Sequence, residues 1–367
     1  MQLRKNTSLI LSGSDVEAIV RHCGLNKLMD TFIARLTAAI QSFKPNQTII
    51  PVRGGFSYEE PQSGLVEWMP LLNTGDQVMI KIVGYHPTNP TSQHLPTILS
   101  TISAYDTASG HLLGIVDGVL LTAIRTGGAS AIASKYMALK NSQILGLIGC
   151  GTQAITQLHA LSRIFDLKRV LIYDVSESAT ESFEDRAAVL GLEVEIKMAD
   201  VSEVVKAADI LVTGTSVGVG SGPLFENLET KPHLHVNAVG SDFPGKVELP
   251  IELLKQSFVC PDFPEQAILE GECQQLQPEQ IGPGWVEVIQ NSEAYTHLKS
   301  QRTIFDSTGW PLEDQVIMEL FLEYAKELGL GQEIEVELIS GDPKNPYHFM
   351  RESATVTLPK SGHQHLA

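Results

Sequence analysis

Gly149, Gly151 and Asp174 have the types and the spacing of residues that hold a dinucleotide. An apolar run from Ile144 to Ile148 ends in Gly149-Cys150-Gly151-Thr152-Gln153-Ala154, and a helical pattern opens at once. A second apolar run, Arg169 to Tyr173, ends in Asp174. Strand, glycine turn, helix, strand and terminal acid, in that order, make a βαβ dinucleotide-binding unit. Gly149 allows the tight turn, Gly151 lets the backbone approach a pyrophosphate, and Ala154 stands where a third glycine would let helix and strand pack closely. The unpaired N–H groups of the following helix favour an anion there. Asp174 is placed to accept from a ribose 2′-OH, and its charge repels a 2′-phosphate, which favours NAD over NADP. The alternative is an ordinary glycine turn with a solvated Asp174.

A second candidate is Asp242. It follows the apolar run His235 to Gly240, in the loop Ser241-Asp242-Phe243-Pro244-Gly245-Lys246. Ligands of open parallel sheets bind beyond the carboxyl ends of the strands, so an acid here is placed to face a nicotinamide; otherwise it caps its own loop. Three cations, Arg53, Lys81 and Arg125, are embedded in apolar or small-residue runs. A buried cation needs an anionic partner. Converging, the three would hold one substrate carboxylate, with an arginine gripping it bidentately. Glu67, in a similar setting, would meet a cationic group. The plain alternative is a set of separate ion pairs and solvated ends. His86, His94 and His111 read as loop or surface histidines. Cys23, Cys150, Cys260 and Cys273 form no Cys-x-x-Cys pair and have no histidine cluster beside them, so they read as reduced, intracellular thiols and not as a disulfide framework or metal site.

The elements that must position these residues fall into two groups. Strand and helix patterns alternate from 144 to 261, which means a parallel sheet with right-handed crossovers. Before it, Ser14 reads as the cap of a helix from Asp15, with Glu17 as the third helical residue, and a longer helix spans about Leu28 to Phe43. Strands are expected at 48–53, 64–70, 77–83, 97–104 and 111–116, and a long small-residue helix at 122–139. A strand at 303–309, a helix from Pro311 to Leu328 stopped by Gly329, and a short strand at 333–339 close the chain. The fold class is therefore α/β: a Rossmann-type doubly wound parallel sheet over 127–311, plus a second, discontinuous α+β domain from 1–126 and 312–367. The length of 367 residues suits two domains. A net charge of −17 argues against nucleic acid and acidic membrane surfaces as partners. No apolar run approaches membrane-spanning length and the N-terminus lacks a signal pattern, so a soluble cytoplasmic protein is expected.

Several stretches together carry a resemblance. They are Gly64-Leu-Val-Glu67-Trp-Met-Pro, Lys81-Ile-Val-Gly-Tyr-His86-Pro, Ala123-Ile-Arg125-Thr, Gly149-Cys-Gly-Thr-Gln153, Val236-Asn-Ala-Val-Gly-Ser-Asp242-Phe-Pro-Gly-Lys246, Glu270-Gly-Glu-Cys-Gln-Gln-Leu276 and Phe305-Asp-Ser-Thr-Gly-Trp-Pro-Leu-Glu-Asp314. The sequence resembles the ornithine cyclodeaminase and mu-crystallin family, most closely the bacterial ornithine cyclodeaminases. The resemblance implies NAD as cofactor, a homodimer paired through the first domain's sheet, and conversion of L-ornithine to L-proline and ammonia by transient hydride transfer from Cα. It implies Asp242 as the acid/base residue, and Arg53, Lys81 and Arg125 on the substrate carboxylate, with Thr308 lining the pocket. Thr97, Thr152, Gln153, Asp174, Thr215, Val236, Asn237, Ala238, Val239, Lys246 and Ser307 are implied at NAD. Ser241, Phe243 and Thr308 depart from the pattern, and residues 217–232 do not match it. A ketimine reductase or amino-acid dehydrogenase of the same family is the alternative, and a binding protein of the mu-crystallin kind a third.

Overall fold

The computed structural model describes residues 7–351, built as two sheets that share one long buried helix. Strands β1 (Ser8–Leu11), β2 (Thr48–Ile49), β3 (Gly54–Tyr58), β4 (Gly64–Asn73), β5 (Gln77–Tyr85), β6 (Ile98–Asp106) and β7 (Leu112–Asp117) form the first lobe. Strands β8 (Ile144–Ile148), β9 (Arg169–Tyr173), β10 (Glu195–Met198), β11 (Ile210–Thr213), β12 (His235–Ala238), β13 (Phe258–Pro261) and β14 (Thr303–Asp306) form the second, and β15 (Gln332–Ile334) returns to the first.

The second sheet runs β10-β9-β8-β11-β12-β14-β13 and is parallel throughout. Chain order reverses between β8 and β11, so the loops after those strands open a crevice. The loops meet closely: a Cβ on Gly149 would lie 2.5 Å from the Gly214 carbonyl oxygen. The first sheet runs β15-β1-β7-β6-β5-β4-β2, with β3 sharing the outer edge of β4. Its inner face is apolar apart from charges such as Lys81, with Met69, Leu71, Met79, Val83 and Ile102 buried. The helices Val119–Met137 and Pro311–Leu328 pack on it.

Val119–Met137 is the shared helix, and nearly every residue in it is buried. Its small residues allow this. A Cβ on Gly127 would stand 2.5 Å from the Thr156 carbonyl oxygen, so the helix touches its neighbour Thr152–Ser162 backbone to backbone.

The structure alters several expected elements. Ser12, not Ser14, caps the first helix, Gly13–Cys23; Asp15 accepts from the Ser12 N–H while Ser12 accepts from the Asp15 N–H. That reciprocal pair satisfies two helix-end donors at once. The lead before the helix contains β1, which sequence reading missed. The expected strand 48–53 stops after Ile49 because Pro51 has no N–H for the ladder. The chain resumes pairing in β3, also missed. The expected strand 333–339 is only Gln332–Ile334. The expected second domain's residues 1–6 and 352–367 lie outside the described residues. No helix among the described residues is long and apolar enough to cross a membrane.

Candidate active site

A cleft of about 420 Å³ opens between the lobes. Arg53, Glu67, Lys81, Thr97 and Arg125 line it from one side. Gly151, Thr152, Gln153, Thr215, Val239, Asp242, Lys246, Ser307 and Thr308 line it from the other. The structure thus brings together all three cations, the acid after β12 and the glycine turn.

The cations arrive with counter-charges. Lys81, buried in β5, donates to Asp314 Oδ1 at 2.9 Å. Arg125 donates from Nη1 to Glu313 Oε2 at 2.8 Å, and its Nε lies 3.3 Å from the same Asp314 oxygen. Burial pulls the Lys81 ammonium down to about 8, with Arg125 adding and Asp314 opposing. Burial pushes Glu313 up to about 8 against the pull of Arg125. Arg53 is held differently. Its Nη2 donates to the carbonyls of Thr308 at 2.5 Å and Gly309 at 3.1 Å. Its Nε stands 3.1 Å from Glu270, and its Nη1 3.6 Å from Glu67. Nη1 is therefore the least committed donor, and the two-pronged grip expected of an arginine is not open to Arg53. Buried atoms of this cluster, Arg125 Nε, Glu313 Oε1 and Asp314 Oδ2 among them, lack an aligned hydrogen bond. A polar ligand would relieve such a set.

Glu270, Glu313 and Asp314 were not singled out by sequence reasoning. Two of them sit in the first turn of a helix, where acids are expected simply to complement the helix dipole. Asp262 was missed as well. It is buried and accepts from Ser307 Oγ, Thr308 Oγ1 and the Gly309 N–H, fixing the loop that holds Arg53.

Asp242 Oδ1 accepts from Lys246 Nζ at 2.8 Å, across a turn in which Gly245 has φ +81°. Lys246 also lies over the Tyr85 ring, 5.3 Å from its centre. Glu67 and Glu270 stand close enough to feel Asp242. Burial raises Glu67, with Arg53 opposing and Asp242 adding. Burial likewise pushes Glu270 up to about 8, with Arg53 opposing and Glu67 and Asp242 adding. The three acids crowd together, Glu67 and Asp242 at the cleft wall and Glu270 buried behind Arg53.

The dinucleotide side has the shape its sequence promised. Gly149 takes φ +98°, and a Cβ on Gly151 would meet nothing within 4 Å. Helix Thr152–Ser162 starts with no side-chain cap, so its first N–H groups are left for a ligand at the cleft wall. This fits a pyrophosphate. Asp174 ends β9 as expected, half-buried, with its carboxylate accepting from the Cys150 and Ser176 N–H groups at 2.7 and 2.8 Å. It braces the glycine turn and does not line the cleft. Val236, Asn237 and Ala238 are buried in β12, away from the cleft, where Asn237 donates to Ser134; of that expected segment only Val239 reaches the lining. Glu248 ties the neighbouring loops together, accepting from the Thr215 N–H and hydroxyl and from the Gly240 N–H. Val217, Gly218 and Val219, from the stretch without a sequence match, form part of the wall.

Fold and cleft define a two-lobed Rossmann-type protein with a dinucleotide turn on one side and a charged pocket on the other. The chain belongs to the ornithine cyclodeaminase/mu-crystallin family, whose profile matches residues 16–328. An L-lysine cyclodeaminase of Streptomyces rapamycinicus is 38% identical over 339 residues, covering 92% of this chain and 98% of its own. An ornithine cyclodeaminase of Agrobacterium tumefaciens is 29% identical, covering 88% and 89%. Among solved structures, a lysine cyclodeaminase examined for recognition of L-lysine, L-ornithine and L-2,4-diaminobutyric acid matches with a TM-score of 0.90 at 43% identity, over 93% of this chain and 99% of that one. An archaeal alanine dehydrogenase dimer with bound NAD matches with a TM-score of 0.78 at 30% identity, over 90% and 100%. These relatives are enzymes of amino-acid metabolism, both cyclodeaminases and dehydrogenases.

Proposed function

We propose that this chain is an NAD-dependent cyclodeaminase of an L-α,ω-diamino acid, with L-ornithine and L-lysine as the substrates to test. The carrying observation is the acidic corner that Glu67 and Asp242, backed by the buried Glu270, form in the same cleft as the Arg53, Lys81 and Arg125 cations. A diamino acid brings one carboxylate and two ammonium groups, and both kinds of wall find partners. A monoamino acid leaves part of the acidic corner uncompensated. The resemblance pointed to ornithine; the similarity to lysine cyclodeaminases supports widening this to the class.

Gly151, Thr152 and Gln153 would hold the NAD pyrophosphate, with Thr97, Thr215, Val239, Lys246 and Ser307 along its length and Asp174 keeping the turn in shape. Bound NAD supplies a reversible hydride acceptor, so the net reaction is redox-neutral. Arg53 Nη1, Lys81 and Arg125 hold the carboxylate and fix the Cα orientation. Asp242, partly exposed and beside Lys246, accepts and returns amine protons as the ring closes and ammonia leaves. Glu67 would orient the distal ammonium. L-ornithine would give L-proline, and L-lysine its six-membered homologue.

A homodimer is part of this reading. Phe56, Trp68, Ile82 and Leu99 are exposed on the outer face of the first sheet. The ladder sets Trp68 directly opposite Ile82, and Phe56 touches Trp68 ring to ring at 5.6 Å. A contiguous apolar face of this kind suits a second copy of the chain.

The test is incubation with NAD and, separately, L-lysine, L-ornithine and L-alanine, scoring ammonia, cyclic amino acid and NADH together. Ammonia and cyclic product in equal amounts, without accumulating NADH, are expected. NADH accumulating with L-alanine alone would replace this reading by a dehydrogenase. Asp242→Asn should lower turnover by about two orders of magnitude or more while NAD binding persists.

A further inference from the structure

Arg53 lies at the break between β2 and β3 of the first lobe, yet most of what holds it comes from the second. Gln266 Oε1 accepts from the Arg53 backbone N–H at 2.9 Å. Thr308 and Gly309 offer their carbonyls to Nη2. Glu270 Oε1 lies 3.1 Å from Nε. Its own lobe supplies Glu67, at 3.6 Å. Gln266 and Glu270 are four residues apart on the helix Pro264–Glu270, so they share one face. Both are buried and neither lines the cleft: they stand behind the guanidinium.

Burying an amide and a carboxylate side by side is costly unless each has a partner. Here both spend that burial on one arginine. The Glu270 contact is a charge pairing and not an aligned hydrogen bond, since Arg53 Nε and Glu270 Oε1 each lack one. It sets a direction of pull on the guanidinium. With Nη2 tied to two carbonyls and Nε facing Glu270, Nη1 is the edge left for a ligand.

We propose that Glu270 and Gln266 are positioning residues that aim the Nη1 edge of Arg53 into the cleft, so that the carboxylate grip of the first lobe is completed by a helix of the second. The groups facing Glu270 are Arg53, Gln266, Glu67 and Asp242. This rests on the amino-acid substrate proposed above and adds that substrate affinity is set across the lobe junction.

The experiment compares full-length wild type with Glu270→Ala, Glu270→Gln and Gln266→Ala, each loaded with NAD. It measures kcat, KM for whichever amino acid the wild type turns over, and NAD affinity by protein fluorescence. Glu270→Ala should raise KM by about tenfold, the size of one charge-assisted contact, with much less change in kcat and none in NAD affinity. Glu270→Gln keeps an oxygen facing Nε and should recover most of the lost affinity; Gln266→Ala should raise KM in the same direction. An unchanged KM in Glu270→Ala, or a parallel loss of NAD affinity and kcat, overturns the proposal. Should Glu270→Ala fail to fold, Gln266→Ala decides by the same KM criterion. If the wild type turns over L-alanine and no diamino acid, the substrate reading fails, and Glu270 is then judged on KM for L-alanine.

Discussion

Lys81 shows how far single residues were legible. It sits in β5 between Met79 and Val83, both core residues, on a face that should be wholly apolar. A charge that breaks the alternation of a half-buried strand stands out in the sequence. Its partner does not, because Asp314 resembles any acid in a helix's first turn. The cations were therefore readable and their counter-ions were not; the same holds for Arg125 with Glu313. The titration of Lys81 has a visible consequence. Its pKa is lowered to about 8, chiefly by burial, so it carries charge below that pH and loses it above. Glu313, pushed up to about 8 by burial, gains negative charge beside Arg125 over the same range and acts in the same direction. Affinity for the substrate carboxylate should thus fall as pH rises through about 8, read as KM against pH. Lys81→Arg keeps its charge and should shrink the fall without abolishing it, and affinity that climbs above that pH would contradict the assignment.

At the scale of elements, the alternating strands and helices of the second lobe were legible because parallel strands are apolar throughout and their turns carry glycine. The first lobe was harder. β3 reads Gly-Gly-Phe-Ser-Tyr, and glycines argue against a strand. They are there because the hairpin is tight: a Cβ on Gly55 would lie 2.6 Å from the Val66 carbonyl oxygen. Pairing distance of that kind is set by the partner strand and is invisible in the local sequence. The glycine turn offers a paired prediction. Gly149→Ala places a side chain at φ +98° and 2.5 Å from a carbonyl oxygen; it should lose about 1–3 kcal/mol to backbone strain, lowering both the melting temperature and NAD affinity. Gly151→Ala has ordinary φ and open space around its Cβ. It should leave melting unchanged and weaken NAD binding alone, because only a pyrophosphate held at this turn would meet the new methyl group. Thermal unfolding with and without NAD separates the two.

For the whole molecule, the composition spoke to charge and size and was silent on surface pattern. The exposed row of Phe56, Trp68, Ile82 and Leu99 comes from strand register across β3 to β6, which no local window shows. Placing a charge on it, as in Trp68→Glu, should halve the mass seen in sedimentation velocity if this face joins two copies; an unchanged dimer would move the interface elsewhere. The helix Pro311–Leu328 carries a consequence of another sort. It brings Glu313 and Asp314 to cations that were threaded into place far earlier in the chain. During synthesis Lys81 and Arg125 leave the ribosome long before those acids do, and isolated charges resist burial. The lobe therefore cannot seal around its cations until translation has passed residue 314, so a polypeptide halted before that point should stay open to proteases and chaperones.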